Sequence, residues 1–154
     1  MKTQRQRQIS AKNRKAAYNS PGLLVLLLTG MAVIHGLVLT GVISPEYIWD
    51  QTAMDMRAVA LAGTFALMIL GTLIWAVRFK IIPALRSGRL DSGLVILSYV
   101  IVAYFALELT GCIFGETTGY RIFGGILYSF GLYVSVRSAI LISWCKNRQS
   151  TRRS

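Results

Sequence analysis

Glu108 is the one acidic side chain that lies inside an apolar stretch of this sequence. It stands in the run Gly93 to Phe114, which is about as long as a helix that crosses a bilayer. A carboxyl at membrane depth is costly, and it usually faces a partner, the interior of a helix bundle or a water-filled cavity. Glu108 is therefore a candidate for a structural hydrogen bond, for a proton or ion path, or for contact with another subunit.

The neighbours of Glu108 at helical spacing form a stripe of hydroxyl, carboxyl and small groups. Tyr104, Glu108, Gly111 and Gly115 follow i, i+4, i+7 and i+11, so one face of a helix carries all four. The pair Gly111 and Gly115 matches the small-xxx-small pattern, which lets helices approach closely in lipid. We expect this stripe to face protein and not lipid.

His35 is the only histidine of the chain and lies in the first apolar run. Counted from the ends of their runs, His35 and Glu108 lie at nearly the same depth. A hydrogen bond between them would ease the burial of both and could respond to protons. The sequence predicts either such a pair or a purely structural bond between helices.

Arg137 lies near the end of the fourth apolar run, and its position allows two interpretations. Its long side chain can reach toward the headgroups at that end of the helix. Alternatively, Ser129, Tyr133 and Arg137 follow i, i+4 and i+8, a polar line that could face a cleft.

Two further stripes are typical of helix packing faces. One carries small and hydroxyl side chains on the fourth run: Gly124, Tyr128, Gly131 and Ser135. The other carries alanines on the second run: Ala58, Ala62 and Ala66. Small residues permit close helix contact, so we expect both stripes to be buried against neighbouring helices.

The elements that must hold these residues are four apolar runs. They cover residues 22–43, 58–77, 93–114 and 122–144, in a chain that is 54% hydrophobic. Each is long enough to cross a hydrocarbon core of about 30 Å. The sequence thus predicts an all-α integral membrane protein with four transmembrane helices in an antiparallel up-and-down bundle, over residues 21–144 and opening at Pro21.

The basic residues outside the runs predict the orientation of this bundle. Of the seventeen Lys and Arg, six lie in a basic tail at 1–20, four in the middle connector and four in a second tail at 145–154. Those of the connector are Arg78, Lys80, Arg86 and Arg89. The positive-inside rule places both termini and the connector in the cytoplasm. We expect a multi-pass protein of a bacterial inner membrane whose basic segments contact anionic lipid or a partner.

The net charge of +11 does not indicate nucleic acid, because orientation in the membrane already accounts for it and no recognition motif accompanies it. One histidine and few acids in the runs predict no metal site, no haem and no other cofactor. We find no catalytic motif and therefore expect no enzyme activity. Cys112 and Cys145 are expected to be free thiols near opposite membrane faces.

The pattern as a whole indicates a small non-catalytic subunit that packs into a larger membrane complex and stabilises it. An alternative is a homo-oligomeric channel or small transporter that uses Glu108, His35 and Tyr104. A third, weaker hypothesis is a holin-like protein that permeabilises membranes, suggested by the basic C-terminal tail.

Overall fold

The computed structural model describes residues 4–48 and 56–150, with side chains for 19–48 and 57–148, and this part of the chain is helical. Its helices are α1 (Gln4–Leu39), α2 (Met56–Trp75), α3 (Ile82–Ser87), α4 (Ser92–Phe114) and α5 (Thr118–Ser150). A short 3-10 turn at Pro45–Tyr47 follows α1, and a π-helical turn at Ala76–Ile81 joins α2 to α3. Most of the predicted first loop (49–55) and the outer ends of both predicted tails (1–3 and 151–154) lie outside the described residues.

Among the described residues, four helical segments are long and apolar enough to cross a membrane: Asn19–Leu39, Arg57–Ser87, Ser92–Phe114 and Thr118–Arg148. This number agrees with the four apolar runs of the sequence. The protein thus has the helices expected of a multi-pass membrane protein.

The first helix differs from the prediction at both ends. It begins at Gln4, so Pro21 lies inside α1 and does not open it. The stretch before Pro21 consists largely of Gln, Arg, Lys and Ala, which are good helix formers despite their polarity. The helix ends at Leu39 and not at Ile43, and Gly41 follows with a φ of 74°, a left-handed conformation that favours glycine.

The second helix does not end at Val77 as predicted. The π turn and α3 continue it to Ser87, and Pro83 lies in the first turn of α3. A proline cannot donate a backbone hydrogen bond and its ring clashes with the preceding turn, which explains the widened turn before it. The Ile82 amide donates to the Val77 carbonyl across this turn. The helix stops where Gly88 adopts a φ of 67°.

The third predicted run coincides with α4 to within one residue at its start. Asp91 is its N-cap, and its carboxylate accepts a hydrogen bond of 2.9 Å from the Leu94 amide. The fourth run is longer than predicted at both ends, because α5 begins at Thr118 and continues to Ser150. The predicted loop 115–121 is thereby reduced to a short turn.

The helices pack unequally. Helix α4 packs along α5, and α1 packs against both α2 and α5, whereas the described parts of α2 and α4 share little contact. The core between them includes Leu28, Met31, Leu70, Phe105 and Ile142. Along the α4–α5 interface, residues later in α4 contact residues earlier in α5. The contacts are Ser92–Lys146, Tyr99–Ser143, Phe105–Gly131 and Cys112–Gly124.

Contacts between chain segments define two ends of the molecule. We call the end around Ser92 and Lys146 the basic end, and the end around Glu46 and Thr117 the turn end. At the basic end, Lys146 donates a 2.6 Å hydrogen bond to the Ser92 hydroxyl at the start of α4. At the turn end, the Thr117 hydroxyl donates to the Glu46 carbonyl oxygen at 3.3 Å. Gly119 also lies against the Tyr47 ring there. The turns after α1 and after α4 therefore meet at the same end.

Candidate functional site

The Tyr128 hydroxyl on α5 donates a hydrogen bond to the Glu108 carboxyl on α4. Tyr128 has only 3% of its surface exposed, whereas Glu108 is half-buried. Tyr104, Tyr120 and Cys112 lie near Tyr128. We call these five side chains the tyrosine–glutamate cluster. It brings two predicted site residues, Tyr104 and Glu108, together with a tyrosine that the sequence had assigned to helix packing.

Glycines make room for the cluster at the interface between α4 and α5. A β-carbon added at Gly124 would lie 2.6 Å from the Cys112 sulfur, closer than real side-chain contacts allow. One added at Gly111 would lie 3.1 Å from the Tyr120 hydroxyl oxygen. Gly124 therefore permits an approach of the two helices that a larger residue would disturb, and Gly111 leaves a tight fit beside the Tyr120 hydroxyl.

A buried aromatic ring, that of Phe105, packs beside the cluster at the level of Tyr104. Phe105 is fully buried and its ring stacks edge-on against Tyr104, with ring centroids 5.3 Å apart. The ring also fills the space beside Gly131. Polar groups of the cluster therefore extend from the start of α5 past Glu108 to Tyr104, whose ring packs beside Phe105.

The cluster offers one carboxyl and three phenol hydroxyls inside a membrane-length helix pair. A carboxylate accepts hydrogen bonds from hydroxyls and can also hold a proton, so such a group can either fix two helices together or pass protons. Within the described residues there is no group of three or more His, Cys, Asp or Glu side chains that could hold a metal ion. Cys112 and Cys145 form no disulfide.

His35 is buried on α1, with 4% of its surface exposed. Its Nδ1 lies 2.8 Å from the Met31 carbonyl oxygen one turn earlier, within hydrogen-bonding distance. The helix that packs on both α1 and α4 is α5, and Tyr128 on α5 is the residue that bonds to Glu108. The predicted pairing of His35 with Glu108 stays a prediction.

Arg137 lies exposed on α5 together with Ser129 and Tyr133, the other two members of its predicted polar line. Its guanidinium donates a 3.3 Å hydrogen bond to the Tyr133 hydroxyl, one turn toward the turn end. Side chains on a helix tilt toward its N-terminus, which favours this direction. The arginine therefore reaches toward Tyr133 here, and its predicted reach toward the headgroups stays a prediction.

The predicted packing stripes are buried to different degrees. On α5 the whole stripe is buried: Gly124, Tyr128, Gly131 and Ser135. On α2 the three alanines are half-buried: Ala58, Ala62 and Ala66. On α4, Gly115 is buried but Gly111 is exposed, so the stripe that carries Glu108 lies at the edge of the packed face.

The predicted lipid-contacting residues Arg78, Lys80, Arg86 and Arg89 are all exposed. Two nearby cations lie over indole rings: the Lys80 ammonium is 5.2 Å from the Trp75 ring centroid, and the Arg148 guanidinium is 3.7 Å from that of Trp144. Tryptophan and basic residues at helix ends are typical of the boundary between lipid and water.

No protein family, no curated protein and no solved structure matches this chain.

Proposed function

We propose that this protein is a small, non-catalytic subunit of a larger membrane complex. Its four helices form an antiparallel up-and-down bundle, with both termini and the α3 connector in the cytoplasm of a bacterial inner membrane. Neighbouring subunits pack against the edge of α4 that carries Glu108.

The contacts at the two ends of the molecule support this orientation. Ser92 and Lys146 meet at the basic end, where the basic residues of the connector and of the C-terminal part of α5 also lie. Glu46 and Thr117 meet at the opposite end. The positive-inside rule then favours the basic end as the cytoplasmic one.

The observation that supports a complex is the half-burial of Glu108. Tyr128 gives the carboxyl one donor, yet two carboxylate oxygens can accept about four hydrogen bonds. A carboxyl at the lipid surface is costly unless protein or water covers it. A helix from a neighbouring subunit, placed against the exposed edge of α4, would cover Glu108 and supply further donors.

The test is affinity purification of the intact chain in mild detergent, with native mass spectrometry of what accompanies it. We expect stoichiometric membrane proteins with the wild-type chain and much less of them with Glu108→Gln. The matched control is Glu46→Gln, which makes the same change in the turn after α1 and should leave the assembly unchanged. A wild-type chain that purifies alone would contradict the proposal.

The continuity of the cluster favours a second candidate, a homo-oligomeric proton channel or small transporter. Three tyrosines, Tyr104, Tyr120 and Tyr128, lie in one group with Glu108, and hydroxyl and carboxyl groups of this kind can pass protons. In this case the purified protein alone should move protons across liposome membranes, and Glu108→Gln should abolish the flux. A folded oligomer that conducts nothing would contradict this candidate.

A further inference from the structure

A cavity of about 450 Å³ opens at the basic end, between the start of the membrane-length part of α1 and helix α3. Its walls come from two segments that are far apart in the sequence: Asn19, Pro21, Gly22, Ile82, Leu85 and Arg86. The volume is in the range of sites that hold small organic ligands. The tyrosine–glutamate cluster lies toward the other end, so this cavity is a separate feature.

The lining of the cavity is amphipathic: one part is apolar and the rim is polar and positively charged. Pro21 and Leu85 are buried and Ile82 is half-buried, which gives an apolar floor. Asn19 and Arg86 are exposed and give a polar rim with one positive charge. The residues after Pro21 belong to a membrane-length segment, so the cavity lies at the depth where headgroups meet acyl chains.

Arg86 is available for an anion. It makes no ion pair and no side-chain hydrogen bond with the part of the chain whose side chains are described. The acid of the same connector, Asp91, uses its carboxylate to cap α4. A guanidinium binds phosphate oxygens through two parallel hydrogen bonds, which makes Arg suited to phosphate groups.

We propose that this cavity is a binding site for one anionic phospholipid of the leaflet at the basic end. Arg86 and the Asn19 amide hold the phosphate, and one acyl chain lies along Ile82 and Leu85. The lining residues support this proposal. A basic pocket between membrane helices on the cytoplasmic side has the charge and the depth that a lipid phosphate requires. The site depends on the membrane placement of the chain but not on any partner subunit.

Gly22 and Gly30 offer a matched pair of variants to test the site. A β-carbon at either position meets no atom within 4 Å, and both residues are exposed on α1. Gly22 lines the cavity whereas Gly30 does not. Leucine at position 22 would fill the cavity, and leucine at position 30 would add the same side chain elsewhere on the helix.

The experiment is native mass spectrometry of the purified full-length chain in detergent, titrated with phosphatidylglycerol or phosphatidylcholine. We expect one phosphatidylglycerol to be retained in preference to phosphatidylcholine. Gly22→Leu and Arg86→Gln should each weaken its binding by about tenfold, since each removes one of the contacts that hold it. Gly30→Leu and Arg121→Gln, an exposed arginine near the turn end, should bind as the wild type does.

Equal binding by Gly22→Leu and Gly30→Leu, with unchanged helical content, would overturn the site. Competition with inorganic phosphate distinguishes a lipid site from a site for a free anion. Because phosphate lacks an acyl chain, millimolar phosphate should not displace the lipid, and full displacement would show a plain anion site instead. Loss of lipid binding would leave the subunit proposal intact, since co-purification of partners is measured separately.

Discussion

The ring of Phe105 on α4 occupies the space that a side chain at position 131 of α5 would need, and Gly131 leaves that space free. Both residues are buried, so the ring has no exposed direction in which to move. Helix association in lipid depends on such close packing, because lipid gives little hydrophobic driving force between helices. This contact lies in the middle of the most extensive helix interface of the protein.

Gly131→Ala should therefore destabilise the protein by about 1–3 kcal/mol, the usual cost of overpacking a core. The measurement is the free energy of unfolding in mixed micelles titrated with a denaturing detergent. Gly125→Ala is the matched control, because a β-carbon at Gly125 on the same helix meets no atom within 4 Å. It should be neutral or slightly stabilising, since alanine favours helix more than glycine does. Equal effects of the two variants would contradict the packing described.

The hydrogen bond between Glu108 and Tyr128 should be measurable as a coupling energy. We expect Glu108→Leu, which removes the acceptor, Tyr128→Phe and the double variant to reveal a coupling of about 0.6–2 kcal/mol in unfolding free energy, the range of hydrogen bonds between membrane helices. Tyr133→Phe, at an exposed tyrosine on the same helix, should show no coupling with Glu108→Leu. Strictly additive effects of Glu108→Leu and Tyr128→Phe would rule the bond out.

The number of membrane-length helices could be predicted from the sequence, because apolar runs of sufficient length are a direct requirement of the bilayer. Helix ends were harder to predict. Arg78 and Lys80 mark the end of an apolar run but do not end a helix, since both are good helix formers. The helix continues to Gly88, whose left-handed conformation ends it. Polarity determines where lipid ends, whereas backbone geometry determines where the helix ends.

The contact between Glu108 and Tyr128 was not predicted, for a related reason. Ionisable side chains were the obvious candidates, which is why the sequence pointed to His35, and that pairing stays a prediction; the structure adds Tyr128, a phenol. A usable signal was present: Glu108 and Tyr128 lie at comparable distances from the same turn on consecutive helices. Which face of α5 meets α4 depends on side-chain packing, including the fit of Phe105 beside Gly131, and sequence spacing alone does not determine that rotation.

The N-cap of α4 gives a prediction about local stability. Asp91→Ala removes the acceptor for the Leu94 amide and should cost about 0.5–2 kcal/mol. Faster hydrogen exchange in the first turn of α4 would report the loss. Asp91→Asn should behave nearly as the wild type does, because asparagine caps helices as well as aspartate does. Equal exchange in the alanine and asparagine variants would contradict the capping role.

The proposed orientation can be tested with single cysteines at the two ends of the molecule. Ser44 follows α1 near the turn end and Ser87 ends α3 near the basic end, and both are exposed. In a Cys145→Ser background, a membrane-impermeant maleimide should label Ser44→Cys from the outside of intact cells. It should label Ser87→Cys only in inverted membrane vesicles.

The remaining native thiol should not obscure this experiment. Cys112 has 1% of its surface exposed and lies against Gly124, so it should react slowly while the protein is folded. The background protein without added cysteines measures any such reaction directly. Labelling of both variants from the same side would contradict the bundle orientation, because the two turns would then share one membrane face. Labelling of Ser87→Cys from outside, and of Ser44→Cys only from inside, would invert the orientation and contradict the positive-inside assignment.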